Sequence, residues 1–393
     1  MIAVIADDLS GAAEIAGIAL RFKLTVEIAF VVNNNTTADL LIISTDTRSM
    51  DAVAAIKTTN AIVLDIIKLK PNFIYKKIDS VLRGHVLAEI KAQLAICKNK
   101  GALIVPANPS MGRTIVNGHY YIQDVPIHLT GFANDPEFAV NNSLVKTFLH
   151  EENDAIGICN LADGIPLNGI AIAEAASMFD MNAWAKLAID CPLLLAGAGD
   201  FFQAILLEKY VETKIINNND ITIDGNTNQL LVVGTNFANR VKDIKIISEQ
   251  TELVVYMLDA IFATDQIDMV EIQKWSSEIV SKINAGGFAI MAIKSNPSIS
   301  VNPKILREKM AIAVKMITNQ IHLSKIFIEG GSTAAAIITA LDIHQLLPVI
   351  ELKRGVIAMD VPAKMPLQII IKPGSYPWPD SQFDSLISKS ASV

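Results

Sequence analysis

The sequence predicts an α/β fold built from two three-layer domains with mainly parallel sheets. Short, wholly apolar runs recur along the chain, as expected for strands that are buried on both faces. Most of these runs are followed by segments with apolar residues at helical spacing. The chain has 393 residues, of which 51% are hydrophobic and only 6% aromatic. Its length suggests two or three domains.

Composition excludes several classes of protein. The net charge is −7 with no long block of one sign, which argues against a nucleic-acid partner. No apolar run reaches the roughly 18 residues of a membrane span, and the start of the chain has no basic region of a signal peptide. Cys97, Cys159 and Cys191 are far apart and indicate buried thiols in a reducing compartment. We therefore expect a cytoplasmic protein without a membrane partner.

A polar, turn-rich stretch divides the chain. It predicts an N-terminal domain at residues 1–215, a linker at 216–229 and a C-terminal domain at 230–393, with an active-site cleft between the two domains.

Polar residues follow four predicted strands of the first domain. Residues 2–6, 40–44, 72–75 and 103–105 are the apolar runs. Because ligands of open α/β sheets bind outside the carboxyl ends of the strands, these residues are candidates for a binding site. They are, in chain order, Asp7 and Asp8, then Asp46 and Arg48, then Lys77, Asp79, Ser80 and Arg83, and finally Arg113.

Ser80 is predicted to be the N-cap of a helix that carries Leu82, Val86, Ile90 and Leu94 on one face. Helix N–H groups beside lysine and arginine would form an anion site. Downstream, Asn117-Gly118 between two short strands predicts a tight hairpin.

Mixed acids and cations at several strand ends favour a small polyhydroxylated anion as ligand. The cations would hold a carboxylate or phosphate, and the acids would accept hydrogen bonds from hydroxyl groups. A purely structural ion-pair network is the alternative. Histidine spacing gives no zinc motif.

Glycine turns follow three predicted strands of the second domain. They contain Gly234, the pair Gly330-Gly331, and Gly374. Glycine allows a backbone to approach a phosphate closely at a helix N-terminus. A separate stretch, Gly197-Ala198-Gly199-Asp200, matches the anion-hole and base motif of ribokinase-like sugar kinases, which makes Asp200 a less favoured candidate base.

Four motifs of the first half, in order, resemble the four-carbon acid sugar kinase family. They are IADDLSGA from Ile5, KKIDSVLRG from Lys76, PANPSMGRTIVNG from Pro106 and PIHLTGFANDP from Pro126. The resemblance implies an enzyme of carbohydrate metabolism that uses ATP and Mg²⁺ to phosphorylate threonate, erythronate or 3-oxo-tetronate. It implies substrate binding in the first domain and nucleotide binding in the second, at Gly234, Thr235, Asn236, Gly330, Gly331, Ser332, Thr333 and Gly374. The metal ligands, the stereochemistry of the substrate and the oligomeric state stay open, a homodimer being one option.

The second half departs from the family pattern. Ser332 replaces an acid, Glu329 stands where a small residue is usual, and the last loop lacks its second glycine. These departures leave open altered nucleotide handling, weak activity, or a sugar-acid-binding protein that has lost catalysis.

The mechanism expected from the resemblance uses Asp8, Asp79 and Arg83 in catalysis. Lys77, Arg83 and Arg113 would hold the carboxylate of the substrate, while Asp7, Asp8 and Asp79 would bind its hydroxyl groups. Asp8 is the preferred base, although the sequence does not choose among the three aspartates.

Overall fold

The computed structural model describes residues 1–134, 138–149, 156–211, 227–234, 238–294, 302–364, 366–374, 376 and 378–379. The chain forms two compact units, Met1–Lys214 and Ile215–Val393. The predicted linker at 216–229 lies largely outside the described residues, as do Thr235 and Asn236.

The first unit alternates strands and helices, as the sequence predicts. Its strands are β1 (Ile2–Ala6), β2 (Val26–Ala29), β3 (Leu40–Ser44), β4 (Ile74–Lys77), β5 (Gly101–Val105), β6 (Arg113–Val116), β7 (His119–Ile122), β8 (Val125–Pro126), β9 (Ile156–Cys159), β10 (Gly169–Ala173) and β11 (Leu194–Gly197). Its helices are α1 (Leu9–Arg21), α2 (Ala52–Lys68), α3 (Val86–Cys97), α4 (Val145–Phe148), α5 (Met178–Ala188) and α6 (Gly199–Leu207).

The main sheet of this unit is parallel, in the order β2-β3-β1-β4-β11-β5-β10-β9. Every residue of β1 and β3 is buried, which explains why both strands read as unbroken apolar runs. Register aligns Ala6 with Ser44 and with Lys77, so β1, β3 and β4 end side by side.

Helices cover both faces of this sheet. Ala3 and Ile5 of β1 pack against Val63 and Ile66 of α2. Adjacent residues of a strand point to opposite faces, and the ends of β4 show this directly. Lys76 is paired with Glu89 of α3, whereas Lys77 is paired with Glu14 of α1. The three-layer α/β prediction is therefore confirmed for this unit.

The predicted start of α3 is wrong. Ser80 caps no helix, because the chain runs through a loop after β4 and α3 begins at Val86. Leu82 has φ +62° and Gly84 has φ +88°, left-handed conformations that a right-handed helix cannot contain. Val86 and Ile90 are buried as predicted, but the anion site at a helix start near Ser80 does not form.

The predicted hairpin is confirmed. β6 and β7 are antiparallel, and Asn117 (φ +50°) and Gly118 (φ +75°) make the turn. Two successive left-handed residues define a type I′ turn, whose twist matches that of the strands.

The second unit is also α/β, and its bounds follow. Its strands are β12 (Gln229–Val233), β13 (Val254–Tyr256), β14 (Phe288–Ala292), β15 (Lys325–Glu329), β16 (Gln345–Lys353), β17 (Val356–Asp360) and β18 (Gln368–Lys372). Its helices are α7 (Ala238–Gln250), α8 (Asp259–Phe262), α9 (Met269–Gly286), α10 (Pro303–Gln320) and α11 (Gly331–Ala340).

Its sheet has the order β13-β14-β12-β15-β18-β17-β16, parallel up to β18. β17 runs antiparallel to both β16 and β18, a hairpin that the sequence analysis did not predict. One core cluster packs Ile244 and Ile247 of α7 against Phe327 of β15 and Trp378. Within the described ranges, no helix combines the length and the apolar character needed to cross a membrane.

Candidate active site

Three strand ends bring the predicted acids and cations together. β1, β3 and β4 are neighbours that end in register, so the residues after them converge at one edge of the sheet. Asp8 also starts α1, where its Oδ1 accepts a hydrogen bond from the backbone N–H of Gly11 (2.9 Å). A side chain at Gly11 would meet Asp8 at 2.8 Å and Lys77 at 3.2 Å, so these two groups lie beside the same glycine.

Arg48 holds the three aspartates in place. Its Nε and Nη2 donate to both oxygens of Asp7, each at 2.9 Å, and Nη2 also donates to Asp8 Oδ1 at 2.9 Å. Nη1 lies 3.7 Å from Asp79 Oδ1. Burial opposes the charge of Arg48, but the three carboxylates outweigh it and raise the pKa of Arg48 well above its ordinary value. Arg48 therefore offsets part of the negative charge of the three carboxylates.

Asp79 is paired a second time, with Arg83. Arg83 Nε donates to Asp79 Oδ2 (2.8 Å), and Nη2 donates to Oδ1 (3.1 Å). Burial by itself would raise the pKa of Asp79, but the charges of Arg83 and Arg48 prevail and hold that pKa well below its usual range. Asp79 is therefore a permanent anion at any ordinary pH.

The three aspartates differ in what their oxygens are free to do. Both oxygens of Asp7 accept from Arg48, and both oxygens of Asp79 accept from Arg83. Asp8 uses Oδ1 alone, and among the described residues no donor reaches its Oδ2. Its side chain is 15% exposed, against 4% for Asp7. Asp8 is thus the acid with an accessible oxygen.

Arg113 supplies a cation whose hydrogen-bond partner is a hydroxyl group. Its Nη1 donates to Ser80 Oγ, and within the described part of the chain no carboxylate lies in salt-bridge range. Ser80 is itself fixed, since its carbonyl accepts a hydrogen bond from Tyr120 Oη at 2.7 Å. The guanidinium groups of Arg113 and Arg83 lie 5.8 and 5.6 Å from the ring centre of Phe132, at cation–π distance.

Lys77 extends from the end of β4 toward α1. Its Nζ lies 3.2 Å from Glu14 Oε2 and donates to the carbonyl of Ile78 at 2.9 Å. Both partners hold the ammonium group near Asp8. Asp46 occupies a left-handed position (φ +52°), and its Oδ1 accepts a hydrogen bond from Ser49 at 3.3 Å.

Asp200 has a structural partner. It is completely buried, Oδ2 accepts from the backbone N–H of Ser110 (2.9 Å), and Oδ1 accepts from Ser110 Oγ (2.8 Å). A carboxylate with both oxygens engaged by the same loop residue is poorly placed to accept a substrate proton. In this structure the aspartate of the Gly197–Asp200 stretch anchors the loop at Ser110.

The glycine turns of the second unit meet around β15. The N–H of Gly234 donates to the carbonyl of Glu329 (3.2 Å), and the N–H of Gly330 donates to that of Lys372 (2.9 Å). Gly330 has φ +102°, a conformation available almost only to glycine. A side chain at Gly234 would lie 2.1 Å from Thr333 Oγ1, so the first turn packs tightly on α11.

A buried ion cluster underlies these turns. Glu329 is completely buried and accepts from Arg240 Nε (2.8 Å) and from the indole N–H of Trp378 (2.6 Å). Lys372 Nζ lies 3.8 Å from Glu329 and donates to the carbonyl of Tyr376 at 2.7 Å. Burial lowers the pKa of Lys372, with Arg240 adding to that effect and Glu329 opposing it. The ammonium group of Lys372 is thus held by the loop that follows it.

Several residues of the site were missed by the sequence analysis. Glu14 and Glu89 are the buried partners of two adjacent lysines, and Phe132 lies against two arginines. Glu14 had a visible signal, since it is the only charged residue in the otherwise apolar and small-residue part of α1. Phe132 had none, because its partners are distant in the sequence.

Comparison with known proteins identifies the family of the chain. A family model described as a sugar-binding N-terminal domain matches residues 2–205, about half of the chain. The chain is 29% identical over 234 residues to a D-threonate kinase of Salmonella typhimurium, covering 54% of each protein. It is 30% identical over 169 residues to a D-erythronate kinase of Heliobacterium modesticaldum, covering 41% of this chain and 38% of that enzyme. The chain thus spans about half or less of the length of these relatives.

The fold has a solved counterpart as well. A crystal structure of a Haemophilus influenzae protein superposes with a TM-score of 0.69 at 18% identity, covering 98% of this chain and 99% of the other. At this identity the likeness concerns the fold alone. From the family model across the first half and the tetronate kinases among its relatives, the chain belongs to the four-carbon acid sugar kinase family.

Proposed function

We propose that the protein is an ATP-dependent kinase that phosphorylates a hydroxyl group of a four-carbon sugar acid. The observation that carries this proposal is that, among the described residues, one cluster holds a guanidinium without a carboxylate partner, on Arg113, and a carboxylate oxygen without a donor, on Asp8. A guanidinium suits the carboxylate of a sugar acid, and a free carboxylate oxygen suits a hydroxyl proton. The names of the relatives, threonate and erythronate kinase, support the same substrate class.

The roles in the reaction follow from the pairing of each group. Arg113 binds the substrate carboxylate, and Asp8 Oδ2 accepts the proton of the attacking hydroxyl. Arg83 stabilises negative charge that develops near the transferred phosphoryl group. Asp7 and Asp79 keep Arg48 and Arg83 in position, since their oxygens are already occupied by these arginines.

The second unit is proposed to hold the nucleotide. Bound ATP would supply the phosphoryl group, with Mg²⁺ offsetting its charge. The backbone N–H groups of Gly331, Ser332 and Thr333 open α11 and would face the phosphates, as is usual at helix N-termini. At Gly330 the nearest atom to an added side chain is 3.6 Å away, which leaves room for close approach. In the described ranges, no three acids, histidines or cysteines cluster as a metal site, and Mg²⁺ commonly relies on phosphate oxygens.

A second candidate is a sugar-acid-binding protein without catalysis. The observation in its favour is that Arg240 and Lys372 already have partners. Both lie in ion-pair range of Glu329, and Lys372 also donates to a loop carbonyl. Cations already paired with a buried carboxylate gain less from a phosphate.

The test is ADP release in the presence of D-threonate, D-erythronate, L-threonate or a 3-oxo-tetronate. We expect at least one acid to raise ADP release far above the rate without acid, and Arg113→Ala to raise the KM for that acid. Titration calorimetry separates the alternatives, because acid binding without ATP or ADP binding identifies the non-catalytic protein. Full activity of Arg83→Ala would remove Arg83 from the mechanism.

A further inference from the structure

The hydrogen bonds between Asp200 and Ser110 connect helix α6 to the loop that carries Arg113. Asp200 lies in the first turn of α6, and its side chain is completely buried. Its carboxylate accepts two hydrogen bonds from Ser110, one from the backbone and one from the hydroxyl. Burying a carboxylate is costly unless its partners are well placed, so this contact fixes the position of Ser110 firmly.

The anchored loop is closed on itself by a second set of hydrogen bonds. Asn108 and Arg113 exchange backbone hydrogen bonds in both directions, at 2.8 and 3.1 Å. The N–H of Met111 donates to the carbonyl of Asn108 at 2.9 Å, and the N–H of Asp200 donates to Asn108 Oδ1 at 3.3 Å. Asp200 therefore contacts the loop both at its first residue and at its turn.

Arg113 leaves this closed loop, and its guanidinium has no carboxylate partner in the part of the chain that the structure describes. With its backbone tied to Asn108 and its side chain tied to Ser80, it has little freedom once the loop is fixed. A pre-organised cation binds a carboxylate more tightly than one that must be ordered on binding.

We propose that Asp200 is a positioning residue that acts through Arg113 to set the affinity for the substrate carboxylate. The inference rests on the proposed function, since it needs a sugar acid that binds Arg113. It assigns Asp200 no proton transfer. Asp200 of the Gly197–Asp200 stretch would thus act in substrate binding and not as a catalytic base.

A double-mutant cycle tests this role by calorimetric titration of D-threonate and D-erythronate. We expect Asp200→Ala to raise the Kd on the order of tenfold, the effect of losing hydrogen bonds to a charged group. The same change in the Arg113→Ala background should add little. Ser110→Ala, which leaves α6 untouched, should give a smaller rise in the same direction. Asp180→Ala removes a first-turn aspartate from α5 and should leave the Kd unchanged.

Two results would overturn the inference. One is an equal loss of affinity from Asp200→Ala with and without Arg113, which would mean that the two residues act independently. The other is a collapse of kcat in Asp200→Asn with an unchanged Kd, which would indicate a catalytic base.

Hydrogen exchange gives a readout that needs no ligand. Amides of residues 108 and 110–113 should exchange faster in Asp200→Ala and in Ser110→Ala, but not in Asp180→Ala. Unchanged exchange in this loop rejects the positioning role even if affinity falls. A wild-type protein that binds no sugar acid would reject the proposed function instead, while the exchange data would still decide whether Asp200 orders the loop.

Discussion

The three aspartates of the cluster differ in their ability to accept a proton, because their hydrogen-bond partners differ. Asp7 and Asp79 each spend both oxygens on an arginine, whereas Asp8 keeps Oδ2 without a donor among the described residues. Sequence alone could not separate them, because all three follow strands and all three lie in motifs. The preference for Asp8 as base rests on this contrast of partners.

Asp8→Asn is expected to lower kcat by about 10²–10⁴-fold, the range for removing a general base. The amide still accepts the hydrogen bond from Gly11 and thus still caps α1, so the Kd for the sugar acid should change little. Single-turnover kinetics and calorimetry measure the two quantities. Asp65→Asn, at a half-exposed side chain of α2, is the control. A kcat within threefold of wild type would exclude Asp8 as the base.

The low pKa of Asp79 predicts a pH dependence of stability. A carboxylate with a depressed pKa in the folded state stabilises the protein fully above its unfolded pKa, near 4, and less as the pH falls below that value. Asp79→Asn should therefore lower the free energy of unfolding more at pH 7 than at pH 3, by about 1 kcal/mol. Urea denaturation of variant and wild type at the two pH values measures this difference. A difference between variant and wild type that is the same at both pH values would contradict the assignment.

At the scale of elements, the strands were predictable and the start of α3 was not. Buried parallel strands appear as apolar runs, and β1, β3, β5, β12, β15 and β18 were found in this way. Val86 and Ile90 also have helical spacing. However, Leu82 and Gly84 adopt left-handed conformations, and a side chain at Gly84 would meet Arg48 at 3.1 Å, a contact between distant residues that no local pattern records.

The hairpin between β6 and β7 gives a prediction about one turn. Gly118→Ala should lower the free energy of unfolding by about 1–2 kcal/mol, because alanine at φ +75° is strained. The added methyl would also meet Ile158 Cδ1 at 3.1 Å. Chemical denaturation measures the loss. Gly157→Ala, where no atom lies within 4 Å of the added carbon, is the control and should cost much less.

At the scale of the whole molecule, the sequence predicted which residues form the candidate site but not which side chains pair with one another. Asp7, Asp8, Arg48, Asp79 and Arg83 do converge. The sequence indicated this because strand ends of a parallel sheet share one edge. It did not reveal that Arg48 is saturated by acids while Arg113 is not, since that depends on side-chain geometry across three loops.

The two halves should be separable by mutation. Gly330→Ala places a side chain at φ +102° and is expected to weaken ADP binding at least tenfold while sparing sugar-acid binding. Arg113→Ala should do the reverse. Calorimetric titration of each ligand against each variant measures both effects. Loss of both ligands in either folded variant would contradict the assignment of one ligand to each half.

The end of β4 carries a constraint of its own. Lys76 and Lys77 are adjacent, yet one meets Glu89 and the other meets Glu14 on opposite sides of the sheet. Deleting or inserting one residue within this short strand would exchange the two sides. Each ammonium group would then face the wrong helix, and Asp79 would turn away from Arg48. Length changes in β4 should therefore be among the least tolerated alterations in the entire chain, more damaging than most substitutions there.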